Sequence, residues 1–558
     1  MDRSRQTDMP LAPPAPAKAG RDDMASVLRP KKTMQIAVSG GVLVTDLERE
    51  ILDTPDFQRL RGIRQLGLAH LVYPSALHTR FDHSLGTLHM ASRMAQAIRE
   101  NAHNDERARF ITDAQLVTIR LYALLHDITH IPFGHSVEDE LELLVRHDQN
   151  EERVNRFLGP ESEIASIITR TLGPEVLAKL LQIYRWDGNP DNRTFPASEV
   201  FIHDLVSNTV CADLLDYLLR DNLFCNLGVS LEYHFIKFLY LGEDDHGQRR
   251  VFVRLWKDDA RGGRPRRDTL TDLCRLLETR YIMAERVYYH HAKIAASVML
   301  GRAIQEALED GELDESVMSS MTDDVLLARL RASKNELTRR LATEVSHRRL
   351  YKQQNEFGWE AVQKGQAEYH LTNQYQDVIH ERVGSAENRR DFENMLADII
   401  RAEPGDVLIY APTRKMNRKE AQMNVLWEGR PTQLKDIDDP VVRPRLNATL
   451  EAHKLLWSIR LHVRPSLTAR QRQLAQDLCE VELLSHTKER DAKRRALYAQ
   501  VVESALDAEN RRIPSAAREY QQQVAAIVDE LLVPGHKGEA FSKRLRRAID
   551  RVFPDSVG

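Results

Sequence analysis

Apolar residues recur at helical spacing over Leu47–Ile63, His83–Glu100, Ala114–His126 and Glu199–Leu219, and each stretch predicts a helix. Pro74 and Pro132 lie between these stretches and mark breaks, because proline lacks the amide hydrogen that a helix interior needs. A short β-branched run from Met34 to Val44, with Ser39-Gly40-Gly41 inside it, predicts a hairpin. The pattern changes after Gly228. Phe235–Leu241 and Val251–Trp256 are rich in strand formers and flank a turn-like Gly-Glu-Asp-Asp-His-Gly segment. Helix returns through Thr269–Ala307, and Val325–Arg401 continues as charged helix with few apolar runs. A second β signal comes at Asp406–Tyr410, from Gln433 onward and at Ser458–Val463. From Ala469 the tail is rich in Arg, Glu, Ala and Gln and reads as helix, its charge runs being solvated faces rather than a binding arm.

The expected fold is therefore mainly α, a helical core with small β-hairpin elements and a mixed α/β C-terminal lobe. Residues 1–32, rich in Pro and Ala, are expected to be disordered. Residues 33–310 form the main domain, 311–482 the mixed lobe and 483–558 a helical extension. At 558 residues the chain can bury a sizeable core. Its net charge of -4 does not demand a nucleic-acid partner. Cys211, Cys225, Cys274 and Cys479 show no CxxC pairing and read as reduced thiols. No apolar run is long enough to span a bilayer and no secretory signal is legible, so a cytoplasmic protein is expected, with no membrane partner.

Two His/Asp clusters carry the candidate chemistry: His78-Thr-Arg-Phe-Asp-His83 and His126-Asp-Ile-Thr-His-Ile-Pro-Phe-Gly-His135. Imidazole and carboxylate hold a divalent metal without thiolate. The doublet His126-Asp127 ends an apolar run, Leu121-Tyr-Ala-Leu-Leu125, that reads as a buried helix. Two adjacent ligands there can grip one ion from a fixed frame, while His83 and Asp213 close the sphere from other helices. Such a centre suits hydrolysis at phosphorus.

Phe57-Gln-Arg-Leu-Arg-Gly-Ile-Arg-Gln-Leu-Gly67, the two clusters and Asp213-Leu-Leu-Asp-Tyr-Leu-Leu-Arg-Asp221 closely resemble the HD-domain deoxynucleoside triphosphate triphosphohydrolases. The likeness runs from about Met34 to Val481, and no SAM domain, which some of the family carry, is legible. It implies that residues 33–310 are an HD phosphohydrolase domain. His83, His126, Asp127 and Asp213 match the family's metal ligands, for an iron, manganese or zinc ion, with magnesium accompanying the nucleotide. His147 and Asp148 match the catalytic His-plus-carboxylate pair, an imidazole suited to protonating the nucleoside 5′-oxygen. His130 and His135 match histidines that face the phosphates.

The same resemblance assigns Arg80, Arg280 and Tyr217 to phosphate, Gln65 and Asp221 to the 3′-hydroxyl, and Leu66 and Tyr288 to the 2′ side of the sugar. Leu214 departs from it, standing where the family carries a lysine. Asp53, Gln58 and Arg61 match an activating-nucleotide site between subunits, which implies a dimer or tetramer. Upstream, Val38-Ser-Gly-Gly-Val-Leu43 and Gln35 replace the family's usual activator segment. The expected reaction is cleavage of a dNTP to deoxynucleoside and triphosphate, serving pool control or defence against phage. A competing reading is an HD-type phosphodiesterase or nuclease acting on DNA, RNA or a cyclic nucleotide. Leu214 and the basic segments Arg261–Arg267 and Lys543–Arg547 favour it.

Overall fold

The computed structural model describes residues 21–104, 109–186, 195–257, 263–358, 379, 382–412, 423–483, 488–508, 517–533 and 539–553. Most of the expected disordered tail, through residue 20, and part of Arg261–Arg267 lie outside them. The fold is mainly α with small sheets, as the apolar spacing predicted.

The central element is the 25-residue helix Arg80–Asn104, buried among Asp113–Leu125, Val200–Ser207 and Ala212–Phe224. Thr112 starts Asp113–Leu125 with a reciprocal cap. Its hydroxyl accepts from Gln115 N, and the Gln115 side chain accepts from Thr112 N. That helix ends at Leu125 with His126 as its cap, so the His126-Asp127 doublet follows directly from a capped, buried rod.

Two stretches that looked continuous are interrupted. Leu47–Ile63 divides into Asp46–Leu52, Pro55–Gln58 and the 3₁₀ turn Arg59–Gly62, because Thr54 caps a new start and Pro55 takes its first position. Glu199–Leu219 divides at Asn208, whose extended backbone ends one helix before Cys211 caps Ala212–Phe224. Gly86 lets Ala212–Phe224 approach the central helix. A Cβ at Gly86 would sit 1.9 Å from Asp216 Oδ1 and 2.4 Å from Arg220 Nη2.

The hairpin pairs Lys32–Ile36 with Gly40–Val44. A four-stranded sheet orders Arg430–Gln433, Asn424–Trp427, Arg249–Arg254 and Leu239–Glu243, with one parallel pairing between Arg249–Arg254 and Asn424–Trp427. A three-stranded sheet centres Ser458–Val463 between Lys352–Gly358 and Val407–Tyr410. Helices Lys488–Ala508, Ala517–Leu532 and Phe541–Val552 share one apolar core with that sheet. Among the described residues no helix is long and apolar enough to cross a membrane.

Candidate active site

Four side chains from three helical segments converge beside the central helix. His83 Nε2 lies 3.2 Å from His126 Nε2, 3.0 Å from Asp213 Oδ1 and 3.7 Å from Asp127 Oδ2. His126 Nε2 is 3.6 Å from Asp127 Oδ1 and 3.8 Å from Asp213 Oδ1. The partners behind the imidazoles set their tautomers. His83 Nδ1 is 2.9 Å from Asp216 Oδ2, and His126 Nδ1 is 2.8 Å from the Ala123 carbonyl. A carboxylate and a carbonyl only accept, so each Nδ1 carries the hydrogen and each Nε2 presents its lone pair.

With both imidazoles neutral, lone pairs and carboxylates thus face one another across the centre, where the described donors are Arg80, to Asp127 Oδ2, and the Thr87 hydroxyl, 3.5 Å from His83 Nε2. A proton or a cation must occupy the centre, and ligand atoms about 3–4 Å apart suit a divalent ion held at about 2.0–2.2 Å. The donor set fits a borderline or hard metal.

The charges follow from this crowding. Burial opposes charge on His83, but hydrogen bonds to Asp213 and Asp216 outweigh it and raise its pKa to about 10. Burial likewise opposes ionisation of Asp127, yet Arg80, His126 and His130 hold its carboxyl well below the usual range. Arg80 Nη1 donates to Asp127 Oδ2 at 2.6 Å, both groups being buried. The His83 proton must leave before a metal can take Nε2. Apparent affinity for a divalent ion is therefore expected to rise with pH, by about tenfold per unit between about pH 6 and 9. Calorimetric titration at several pH values checks this, and a flat profile contradicts it.

Asp216 was missed in the sequence, although its position three residues after Asp213 puts both on one helix face. It accepts from His83 and, through both oxygens, from Arg220 at 2.8 Å. Asp216→Ala is expected to weaken metal binding by about 10- to 100-fold and, because it strands the buried Arg220 guanidinium, to lower the melting temperature as well. Metal titration by fluorescence or calorimetry reads the change.

Past the doublet the chain turns through Phe133, in the left-handed region at φ 55°, into a short π-helix, His135–Glu140. Gly134 is needed there, since a Cβ would meet His130 Nδ1 at 2.6 Å. His130 and His147 stack with ring centroids 3.6 Å apart. Glu138 Oε2 stands 3.4 Å from Nδ1 of each, at ion-pair range without hydrogen-bond alignment. Burial, with Arg80 and His147 adding to it, lowers the pKa of His130 to about 4. Burial also disfavours charge on His147, but Glu138 and then Asp148 outweigh it and raise its pKa.

Glu138 is therefore the carboxylate next to His147, whereas Asp148 accepts from Arg146 at 2.9 and 3.1 Å on the exposed side. His135 pairs with Asp139 at 2.7 Å and is half exposed. Glu138 had no motif to reveal it, because a buried Glu in a π-turn resembles an ordinary surface acid in sequence.

Asp221 accepts from His78 Nε2 and from the Tyr288 hydroxyl, each at 2.8 Å. Gln65 is buried with Oε1 unpartnered, and Leu66 is half-buried beside it. Tyr217 is half-buried on the helix that carries Asp213; burial raises the pKa of its hydroxyl, against the opposing charge of Arg280. Leu214 is buried in the main core. Asp323, unmarked in the sequence, accepts from Arg64 N at 2.9 Å and Phe133 N at 3.0 Å, joining the Gln65 segment to the turn after the doublet. Burial raises its pKa to about 6. Of the three residues matched to an activator site, Arg61 donates to Gln58 at 2.8 Å and lies 3.6 Å over the Phe81 ring. Asp53 is exposed, within 3.5 Å of Arg49.

The family description "HD domain" matches residues 80–221, which include all four converging side chains, and "HD associated region" matches residues 274–491. The chain is thus an HD-domain protein. Its curated relatives include deoxynucleoside triphosphate triphosphohydrolases as well as proteins of no stated activity. It is 29% identical over 321 residues to an uncharacterized protein of Methanocaldococcus jannaschii, covering 58% of this chain and 59% of the relative. It is 26% identical over 363 residues to the deoxynucleoside triphosphate triphosphohydrolase SAMHD1 of Homo sapiens, covering 58% and 54%. The chain spans between half and three-fifths of the length of these relatives. Among solved structures, a hypothetical protein of Aquifex aeolicus has TM-score 0.54 at 21% identity, covering 79% of this chain and 99% of its own. A phosphohydrolase of Bacteroides thetaiotaomicron has TM-score 0.53 at 20% identity, covering 78% and 100%. These two likenesses show the fold.

Proposed function

We propose that this chain is a metal-dependent triphosphohydrolase that converts a dNTP to deoxynucleoside and inorganic triphosphate. The observation that carries the reading is the convergence of two imidazole Nε2 atoms and two carboxylates. Gln65, Asp221 and Tyr288, linked through His78, add the polar groups that a sugar would need. An ion held by His83, His126, Asp127 and Asp213 would supply Lewis acidity at the α-phosphate and an acidified water as nucleophile.

The protein side chains do the rest. His147, kept protonated by Glu138, gives its proton to the departing 5′-oxygen. His130 and His135 offer imidazole nitrogens to the phosphates, and Arg280 and Tyr217 add donors. Arg80 is committed to Asp127, so it orients that ligand and meets phosphate only through its remaining nitrogens. Asp221 and the unpartnered Gln65 Oε1 suit a 3′-hydroxyl. Leu66 and Tyr288 fill the 2′ side, where a ribose would bury an unpaired hydroxyl.

The exposed edge carrying Asp53, Gln58 and Arg61 is the place for an activating nucleotide and a second subunit in a homo-oligomer. The dNTPase relatives support the substrate class, and the absence of a lysine at Leu214 leaves phosphate binding to the groups above.

The test is product analysis. Each dNTP and NTP is incubated with Mg²⁺ or Mn²⁺, with and without GTP, and the products are separated by ion-pair chromatography. Deoxynucleoside plus intact triphosphate is expected, with ribonucleotides turned over on the order of 10²-fold more slowly. Cleavage of labelled single-stranded DNA or RNA with no dNTP turnover would replace this reading with the phosphodiesterase one.

A further inference from the structure

Arg153 sits in the first turn of the Glu151–Leu158 helix, buried, with its backbone N–H capped by Asn150 Oδ1 at 3.0 Å. No motif marks it. Its guanidinium nevertheless meets every segment that carries the His130–His147 pair. Nη1 donates to Glu138 Oε1 and, at 3.4 Å, to the Thr129 carbonyl just before His130. Nη2 donates to the Val145 carbonyl, two residues before His147. Nε lies 3.1 Å from Glu315 Oε1, which Asn150 Nδ2 also holds at 2.7 Å.

A second buried guanidinium, Arg59, secures the same turn by donating to the Ile128 and His130 carbonyls at 2.8 Å. Arg59 touches only backbone there, whereas Arg153 alone reaches the Glu138 carboxylate as well. One oxygen of Glu138 is tied to Arg153, which leaves the other oxygen as the one facing both imidazoles.

We infer that Arg153 is the positioning residue of the acid–base pair. It aims Glu138 Oε2 at His147 and fixes, through the Val145 and Thr129 carbonyls, the spacing between His147 and His130. A planar fork of donors can join a carboxylate and two carbonyls in one geometry, which a single ammonium cannot do. The inference rests on the acid role of His147 proposed above.

The test is a mutant cycle in the metal-loaded full chain. Arg153→Met is expected to lower kcat on the order of 10- to 100-fold, with KM and bound metal within about twofold of the parent. Arg153→Lys should recover part of the loss and is the variant to read if Arg153→Met fails to fold. In a His147→Ala background Arg153→Lys should cost less than about twofold more, because its route to the reaction is already gone. An unchanged kcat, or an equal loss with and without His147, overturns the inference. Absence of dNTP turnover in the parent chain would instead count against the proposed substrate, and the cycle would then be read on whichever phosphodiester the parent cleaves. A readout free of turnover is the His147 ring NMR signal, which Arg153→Lys should displace. An undisplaced signal counts against the positioning role.

Discussion

Asp127→Ala is expected to remove bound metal and turnover together. Asp127 is within reach of His83, His126 and His130 and accepts from Arg80, so its loss opens the sphere and also strands a guanidinium that is 1% exposed. Breaking a buried ion pair by deleting one partner costs roughly 3–5 kcal/mol, so the melting temperature should fall as well. Elemental analysis of the purified variant and a thermal melt read the two effects separately. A variant that kept its metal would remove Asp127 from the ligand set.

His147→Ala should behave in the opposite way, keeping the metal while turnover falls by about 10²- to 10⁴-fold, the usual worth of a general acid. His147 stacks on His130 and is not grouped with His83 and His126, although its ring nitrogen comes within 4.8 Å of an Asp127 oxygen. Its raised pKa fixes the sign of the pH dependence. An acid must be protonated to act, so activity persists above the ordinary histidine range and falls as pH rises through the folded value. In His147→Ala that alkaline limb should disappear. Wild-type turnover in the variant would refute the acid role.

Much of the architecture was legible because its signals are local. The buried run before His126 and the strand signal at Ser458–Val463 each reflect forces within one element. What escaped depends on contacts between distant elements. The strand Lys352–Gly358 lay inside a stretch read as charged helix, because Lys-Gln-Gln-Asn-Glu carries little strand propensity and its pairing with Ser458–Val463 decides the outcome.

The same holds in the site. His83, His126, Asp127 and Asp213 stand out as residue types with known chemistry, whereas Asp216, Glu138, Arg153 and Asp323 become visible only through what they touch. Asp323 lies 190 residues from Phe133, beyond any spacing rule, and for Asp216 the spacing gives only a helix face shared with Asp213, not the contact with His83, 133 residues away. Their types are ordinary, and burial gives them their roles. Asp148 shows the converse. Its adjacency to His147 in the chain suggested a catalytic pair, but the backbone turns its carboxylate toward Arg146 and brings Glu138 to the imidazole instead.

In the proposed reaction water attacks the α-phosphate and the 5′-oxygen leaves with a proton. Hydrolysis of a dNTP in ¹⁸O-water, with both products analysed by mass spectrometry, tests it most directly. One ¹⁸O in the triphosphate and none in the deoxynucleoside is the predicted result. Label in the deoxynucleoside hydroxyl, or release of diphosphate or monophosphate in place of triphosphate, would contradict it.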